Sequence, residues 1–413
     1  MTAAGVLSEE AERAAALALD LRALPDDFYD DPFPYYHRLR RWDPVHRGPD
    51  GSYFLTRYDD VVAVYQDHHT WSSDKRVEFA PKFGASPLYE HHTTSVVFRD
   101  PPDHTRIRKL FAPAFTPRAL AALEPRVARF VDGLLDRAAA RGGMDVVEDF
   151  AAALPVQLIG DMLGVPREER GPLRGWSLAI LGALEPEPGP RRLEAGSRAV
   201  DEFKGYLRRL IADRRRRPST DPGEILSALL AAEDAGDRLT ELELLHQCIF
   251  LLNAGHETTT NLIANAVVSL LEHPREHLRL RAEPGLITTA VEEFLRFQSP
   301  NQLGNRRAVR EAVLGGVAMD AGTLVTLGIG AANRDPAQFP DPDRLDIGRT
   351  PNRHLAFITG IHACAGMWLA RMEGRAAIGR LVARFPNLRA AGPPVRAHRA
   401  RFRVVSSFPI TVG

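Results

Sequence analysis

The stretch FITGIHACAG, Phe357–Gly366, holds one of only two cysteines in a chain of 413 residues. Cys364 lies between Ala363 and Ala365, follows His362 by two places, and opens a helical pattern that runs to Phe385. Two cysteines in so long a chain make no disulfide framework, so a cysteine kept for chemistry acts as a thiolate ligand or nucleophile. Zinc would want four ligands, commonly paired as CxxC or HxxxH, and no second pair of that kind lies here. A site with one protein thiolate, its other positions filled by a porphyrin, suits the surroundings better. Gly360 and Gly366 let backbone approach a flat macrocycle, and the two alanines leave room beside the sulfur. A helix starting just after Cys364 points its N–H groups and dipole at the sulfur, which is expected to lower the thiol pKa. His362 is placed to reach a haem carboxylate. The bland alternative is a buried structural cysteine ahead of a helix. It does not account for the spacing of Phe357, Gly360, His362, Cys364 and Gly366.

Outward from this loop, helical patterns dominate. The longest runs from Glu241 to about Glu272, with Thr240 and Glu243 as a capping-box signature and Pro274 beyond its end. At about 1.5 Å per residue it spans roughly 48 Å. It is apolar around its circumference ("CIFLL", "LIANAVVSLL"), which predicts burial. Asn253, His256, Glu257 and Asn261 interrupt it, so it is not a membrane span. A second helix is expected from about Pro284 to Phe297. In the third, after Cys364, Ile378, Leu381, Val382 and Phe385 recur at i, i+3, i+4, i+7. Strand-like stretches are GSYFLTR (51–57), TLVTLGIG (323–330) and RFRVVSSFPITVG (401–413). With no linker or repeat in view, residues 1–413 are expected to form a single domain, mainly α with minor β-sheet near both ends.

Lys+Arg and Asp+Glu both number 53, so bulk charge offers no attraction to nucleic acid or an anionic membrane. No uncharged apolar run reaches the roughly 18–20 residues of a membrane span. Near the start, Glu9, Glu10, Glu12 and Arg13 break the pattern, and the apolar run Ala14–Leu19 is too short for a secretion signal. A cytoplasmic protein is expected.

The segment at Cys364 resembles the cysteine-loop signature of the cytochrome P450 family, F-G-x-G-x-H-x-C-x-G, with Ile358 where the family usually has glycine. Further stretches resemble the family's other motifs, in the family's order. Ala254, Gly255, His256, Glu257 and Thr258 match the distal-helix motif A-G-x-[DE]-T. Thr258 stands four residues after Ala254, so its hydroxyl can compete for that carbonyl and loosen the helix. Gly255 aids the distortion and leaves space, and Thr258 with Glu257 can relay protons to the reacting oxygen. The alternative for Glu257 is a paired buried charge. Glu293 and Arg296 match E-x-x-R, and Arg344 in PDRL would be the third member of a structural Glu–Arg–Arg cluster. His104 and Arg108 match H-x-x-x-R, and Arg306 matches the arginine of the strand after E-x-x-R. With His362 these would neutralise the two haem propionates, Arg307 replacing Arg306 if the register slips by one.

The resemblance implies the cytochrome P450 fold, with haem b held between a long distal helix and a proximal cysteine-loop helix. Cys364 would be the iron ligand, and His104, Arg108, Ala254, Gly255, Arg306, Phe357, His362 and Gly366 would bind the cofactor. It implies a monooxygenase that inserts one atom of O2 into an apolar or partly oxygenated small organic substrate. The push from a thiolate trans to oxygen favours O–O cleavage. Electrons are expected from separate partners, a ferredoxin with its reductase or a flavodoxin, and the enzyme is expected to be a monomer. Arg106, Lys109, Arg371 and Arg375 are candidates for the docking face. Expected pocket walls include Phe79, Phe83, Leu88, Val96, Leu252, Asn253, Ala254, Gln302 and Leu303. Asn253 shares a helix face with Phe250, Ala254 and Glu257. As a buried amide it must bond something. A neighbouring backbone group or an ordered water is one answer. The other is a hydroxyl, carbonyl or carboxylate of the substrate, with Gln302 assisting. Other readings are a peroxide-using, coupling or rearranging enzyme of the same kind, or a haem gas sensor, which would not need Glu257 and Thr258. A serine hydrolase is suggested by GWSLA (175–179), but that motif needs glycine at Ala179 and a preceding strand.

Overall fold

The computed structural model describes residues 8–219, 221, 223–234 and 239–413. The helix Glu241–Glu272 is present at the predicted bounds. Thr240 Oγ1 accepts from the Glu243 amide at 3.1 Å and the Glu243 carboxylate accepts from the Thr240 amide at 2.8 Å. This reciprocal cap satisfies two otherwise orphaned donors and stabilises the start by about 1 kcal/mol. The helix runs through two apolar clusters, Leu244–Leu252 in one and Leu262, Ala266 and Leu270 in the other. It packs against helices Ala153–Met162, Gly171–Gly182, Ile287–Phe297 and Met367–Arg384, so almost every face is covered. The predicted helix from Pro284 begins as one 3-10 turn, Pro284–Leu286, and becomes α-helical at Ile287. Among the described residues no helix is long and apolar enough to cross a membrane.

The largest sheet has five strands in the order Val45–Arg47, Tyr53–Leu55, Leu324–Gly328, Leu303–Ala308, Trp71–Ser72. Strands near the start and the two pieces of the tail, Val405–Ser407 and Pro409–Thr411, are where the sequence places them. The strand Leu303–Ala308 is the one the resemblance implies around Arg306, though alternation alone does not reveal it. Its residues LGNRRA lack the apolar alternation of a strand, because its buried face carries Arg306 into a cavity. Ser177 sits buried inside the helix Gly171–Gly182, where no strand-to-helix elbow exists.

Glu293 and Arg296 form a fully buried, two-point ion pair, with both N–O distances 2.7 Å. The third member is Arg349, whose Nε lies 3.2 Å from the Glu293 carboxylate. The expectation for Arg344 is therefore corrected: its side chain is exposed, and only its backbone carbonyl joins, accepting from Arg296 and Arg349. Arg296 also donates to the carbonyls of Asn333 and Pro342. The cluster thus ties helix Ile287–Phe297 to the irregular chain that leads to the cysteine loop.

Candidate functional site

The cysteine loop descends from an extended Thr359 through one tight turn, Gly360–His362. It is closed by the Cys364 amide donating to the Phe357 carbonyl at 3.0 Å. Gly360 has φ +76°, and a Cβ there would lie 2.1 Å from the Tyr65 carbonyl oxygen, so no other residue fits. Ile358 is at φ +50°, a left-handed conformation that is strained for a β-branched residue. Its side chain borders the cavity and packs on the cluster containing Leu355 and Val64. Ile358→Gly is expected to be more stable than Ile358→Ala by about 1 kcal/mol, since both lose the side chain but only glycine relieves the backbone. Equal urea midpoints for the two variants would show that no strain is held there.

Burial pushes the Cys364 thiol up, against the Gly366 amide, Arg108 and Arg371, which draw it down. The sequence expectation of a lowered thiol pKa is thus reversed for the free thiol, because burial outweighs the helix start at Met367. A metal cation at the sulfur removes the proton outright. Cys248 is fully buried in the long helix with its thiol pushed up to about 12, and it is not near this loop.

Beside the loop four basic groups converge. The rings of His104 and His362 stand 4.2 Å apart, and each Nε2 is buried with no partner among the described residues. Arg108 donates to the Ala363 carbonyl. Arg306 is buried, 5.0 Å over the Tyr65 ring. Neighbouring strand residues face opposite ways, and it is Arg306 that borders the cavity, while Arg307 does not. Burial, assisted by Arg108, depresses His104 to about 4; burial, then Arg306 and His104, depresses His362 to about 2. Asp100 is the nearby acid, and it is already occupied by Ser72 and Ser73. Unpartnered donors without a free counter-charge fit a ligand with carboxylates.

Across the cavity lies the long helix. Asn253, Ala254, Gly255 and Thr258 border the cavity, with Phe357, Cys364 and Gly366 on the far wall. Thr258 Oγ1 donates to the Ala254 carbonyl at 2.9 Å, as its spacing predicts, yet the helix stays α-helical throughout and is not loosened. A Cβ at Gly255 would lie 2.5 Å from Ile159 Cδ1, so this glycine also serves the approach of helix Ala153–Met162.

Several expectations are corrected. Glu257 is buried against Arg399 at 3.1 Å, which also holds Glu185, and it does not border the cavity. Burial raises its carboxyl while Arg399 opposes the rise. The paired-charge alternative describes it, because the helix turns Ala254 to the cavity and Glu257 towards Arg399. Gln302 also turns away: it donates to the Ser299 carbonyl at 2.7 Å and accepts from Tyr36 at 3.3 Å. It is shut in by Gly330, where a Cβ would meet Gln302 Oε1 at 1.9 Å. Leu303 and Val96 do border the cavity, while Phe79, Phe83, Leu88 and Leu252 stand behind it. Arg371 is held by Glu292 through two 2.7 Å bonds and lies 4.6 Å over the Phe357 ring, so it braces the cysteine loop. Arg106 is engaged by Glu243. The sequence reading missed His91, His92, Glu373 and Arg401, all at the cavity. Only the doublet His91–His92 offered a signal.

A protein-family model described as Cytochrome P450 matches residues 188–394. The chain is 41% identical to Cytochrome P450 107B1 of Saccharopolyspora erythraea, over 91% of this chain and 93% of that one. This chain belongs to the cytochrome P450 family. It is also 41% identical to the Vitamin D(3) 25-hydroxylase of Pseudonocardia autotrophica, over 94% of this chain and 95% of that protein. Among solved structures it resembles P450BioI in complex with acyl carrier protein ligated to hexadec-9Z-enoic acid, with TM-score 0.88 and 36% identity. That match covers 94% of this chain and all of the other. As a cytochrome P450 it has the P450 fold, is a haem-iron oxidoreductase of the monooxygenase type, and works with redox partners on a small-molecule substrate. The cavity between cysteine loop and long helix, with its unpartnered histidines, fits that cofactor.

Proposed function

We propose that residues 1–413 act as one cytochrome P450 domain in which Cys364 would hold the iron of haem b as a thiolate. The single observation that carries this is Cys364 on one wall of a cavity whose opposite wall is Ala254, Gly255 and Thr258. When bound, the haem supplies activation of O2 and transfer of one oxygen atom to the substrate. His104, Arg108, Arg306 and His362 would hold its carboxylates, Phe357 and Gly366 would bear on its proximal side, and Arg371 keeps Phe357 in place. Thr258 presents the one hydroxyl of the motif to the cavity. By donating to Ala254 it leaves its lone pairs to accept from water or substrate and so position a proton near the reacting atoms. Glu257 would act at most through Arg399.

The substrate is an apolar or partly oxygenated small molecule. The relatives' named ligands, vitamin D3 and a carrier-bound fatty acid, are apolar bodies with a polar end. The cavity is of that kind, with Phe98, Phe250 and Phe402 beside Asn253 and Arg401. Arg401 is half-buried, with Glu185 and Glu78 as the acids that act on it. A ferredoxin with its reductase, or a flavodoxin, would supply electrons to a cytoplasmic monomer, docking near Lys109 and Arg375.

Thr258→Ala is expected to keep haem and ligand binding, while product per NADH falls at least about tenfold and hydrogen peroxide rises. The assay supplies redox partners and a substrate found by spin-state screening. An unchanged yield per NADH would assign proton delivery elsewhere.

A further inference from the structure

A chain of hydrogen bonds runs from the protein surface to the cavity. Lys204 Nζ lies 2.7 Å from Glu90 Oε1, and the same oxygen is 3.0 Å from His246 Nε2. His246 Nδ1 is 3.3 Å from His91 Nδ1, and His91 Nε2 is 3.4 Å from Asn253 Nδ2. His91 and His246 are buried, as is Asn253, which is 4% exposed. Asn253 Oδ1 has no partner among the described residues.

The direction of every bond follows from the surface end. Although burial acts against it, hydrogen bonds from Lys204 and His246 keep the Glu90 carboxyl below its usual range, so it is an acceptor only. His246 Nε2 therefore carries the proton. Burial holds His246 neutral at pH 7, depressing it to about 4, so its Nδ1 is bare. The 3.3 Å contact then requires His91 Nδ1 to carry a proton. His91 is also neutral through burial, first, and then the proximity of His92 and His246. Its Nε2 must accept, and among the described residues the donor facing it is the amide NH2 of Asn253. The amide is thereby turned with its carbonyl oxygen away from the chain, without a partner among the described residues, on a residue that borders the cavity.

We propose that Asn253 Oδ1 is a fixed acceptor for a hydroxyl or N–H of the substrate, so that this enzyme selects apolar molecules carrying a donor over those carrying only a ketone or ether. The inference rests on the haem-thiolate reading, and it narrows the oxygenated substrate to one polarity. Lys204 and Glu90 are positioning residues, acting through the two histidines.

The test uses the full-length holoprotein and matched probes on one apolar skeleton: cyclododecanol, cyclododecanone and cyclododecyl methyl ether, with testosterone and its 17-ketone as a second pair. Binding is read from the Soret spin-state shift, not from turnover. The wild type is expected to bind each alcohol about 3- to 10-fold more tightly than its ketone or ether. Asn253→Leu is expected to bring those ratios to near one. His246→Leu leaves the His91 tautomer and the amide free to reverse, so its preference is expected to shift towards the ketones. Independently, nitrogen-15 shifts of labelled histidine should show His91 protonated at Nδ1 and His246 at Nε2. A ketone bound as well as its alcohol by the wild type overturns the proposal. So do alcohol preference retained in Asn253→Leu, the opposite tautomers, and failure of every alcohol to bind. The ferrous-CO spectrum of the same preparation separates the two levels. A thiolate band with the wrong ligand ranking sinks this inference alone, whereas no thiolate band sinks both.

Discussion

Replacing Cys364 by serine or alanine is expected to abolish the red-shifted CO-difference band that reports a thiolate bound to ferrous haem. The effect should be complete. Cys248 cannot replace the ligand, since it is 0% exposed, lies inside the long helix, and has its thiol pushed up to about 12 by burial. Serine offers a hard oxygen that stays protonated at neutral pH and cannot reproduce the electron release of a thiolate. Haem content should fall less than the band. His104, Arg108, Arg306 and His362 are untouched by the substitution and still offer donors to the carboxylates. An unchanged CO band in either variant would overturn the ligand assignment and with it the proposed function.

The second large effect is expected at Glu293. Its carboxylate accepts from Arg296 twice, from Arg349, from the Asp346 amide at 3.0 Å and from Asn352 at 3.1 Å. Glu293→Gln keeps the volume but leaves Arg296, which has no exposed surface, without a counter-charge. Stranding one partner of such a pair costs about 3–5 kcal/mol. That is a large share of the total stability of a folded protein. The variant should lose haem during purification and unfold at markedly lower urea concentration, although Glu293 does not border the cavity. A midpoint equal to the wild type's would show that the cluster is dispensable. Arg349→Lys should be milder, because the Arg296 bonds remain.

The two experiments differ in what made them foreseeable. Cys364 and Glu293–Arg296 lie in short motifs whose members are close in sequence, so spacing alone brings them together. The same holds for Thr258 and Ala254, joined by a bond between residues one helical turn apart. Arg344 was misjudged because the third member comes from irregular chain, where no period says which side chain turns inward. The choice of Arg349 is made by backbone carbonyls of Pro340, Asp341 and Arg344 that receive its guanidinium. Gln302 failed in a related way. It stands immediately before a strand whose first residue, Leu303, does face the cavity, and a one-residue step reverses the face.

By itself the sequence determined the helical fold, the long buried helix with its cap, the cysteine proposed as the thiolate and the set of basic residues around it. Each of these is written in local periodicity or in a compact motif, where the backbone geometry of one element decides the outcome. Only the tertiary structure decided that Arg306 and not Arg307 meets the cavity, that Glu257 is held by Arg399, and that Asn253 answers to His91, His246 and Glu90. Those partners lie 142, 162, 155 and 156 residues apart along the chain. Hydrogen bonding and burial act over a few ångströms in space, so a polar group's role is set by whichever distant side chain the fold packs against it.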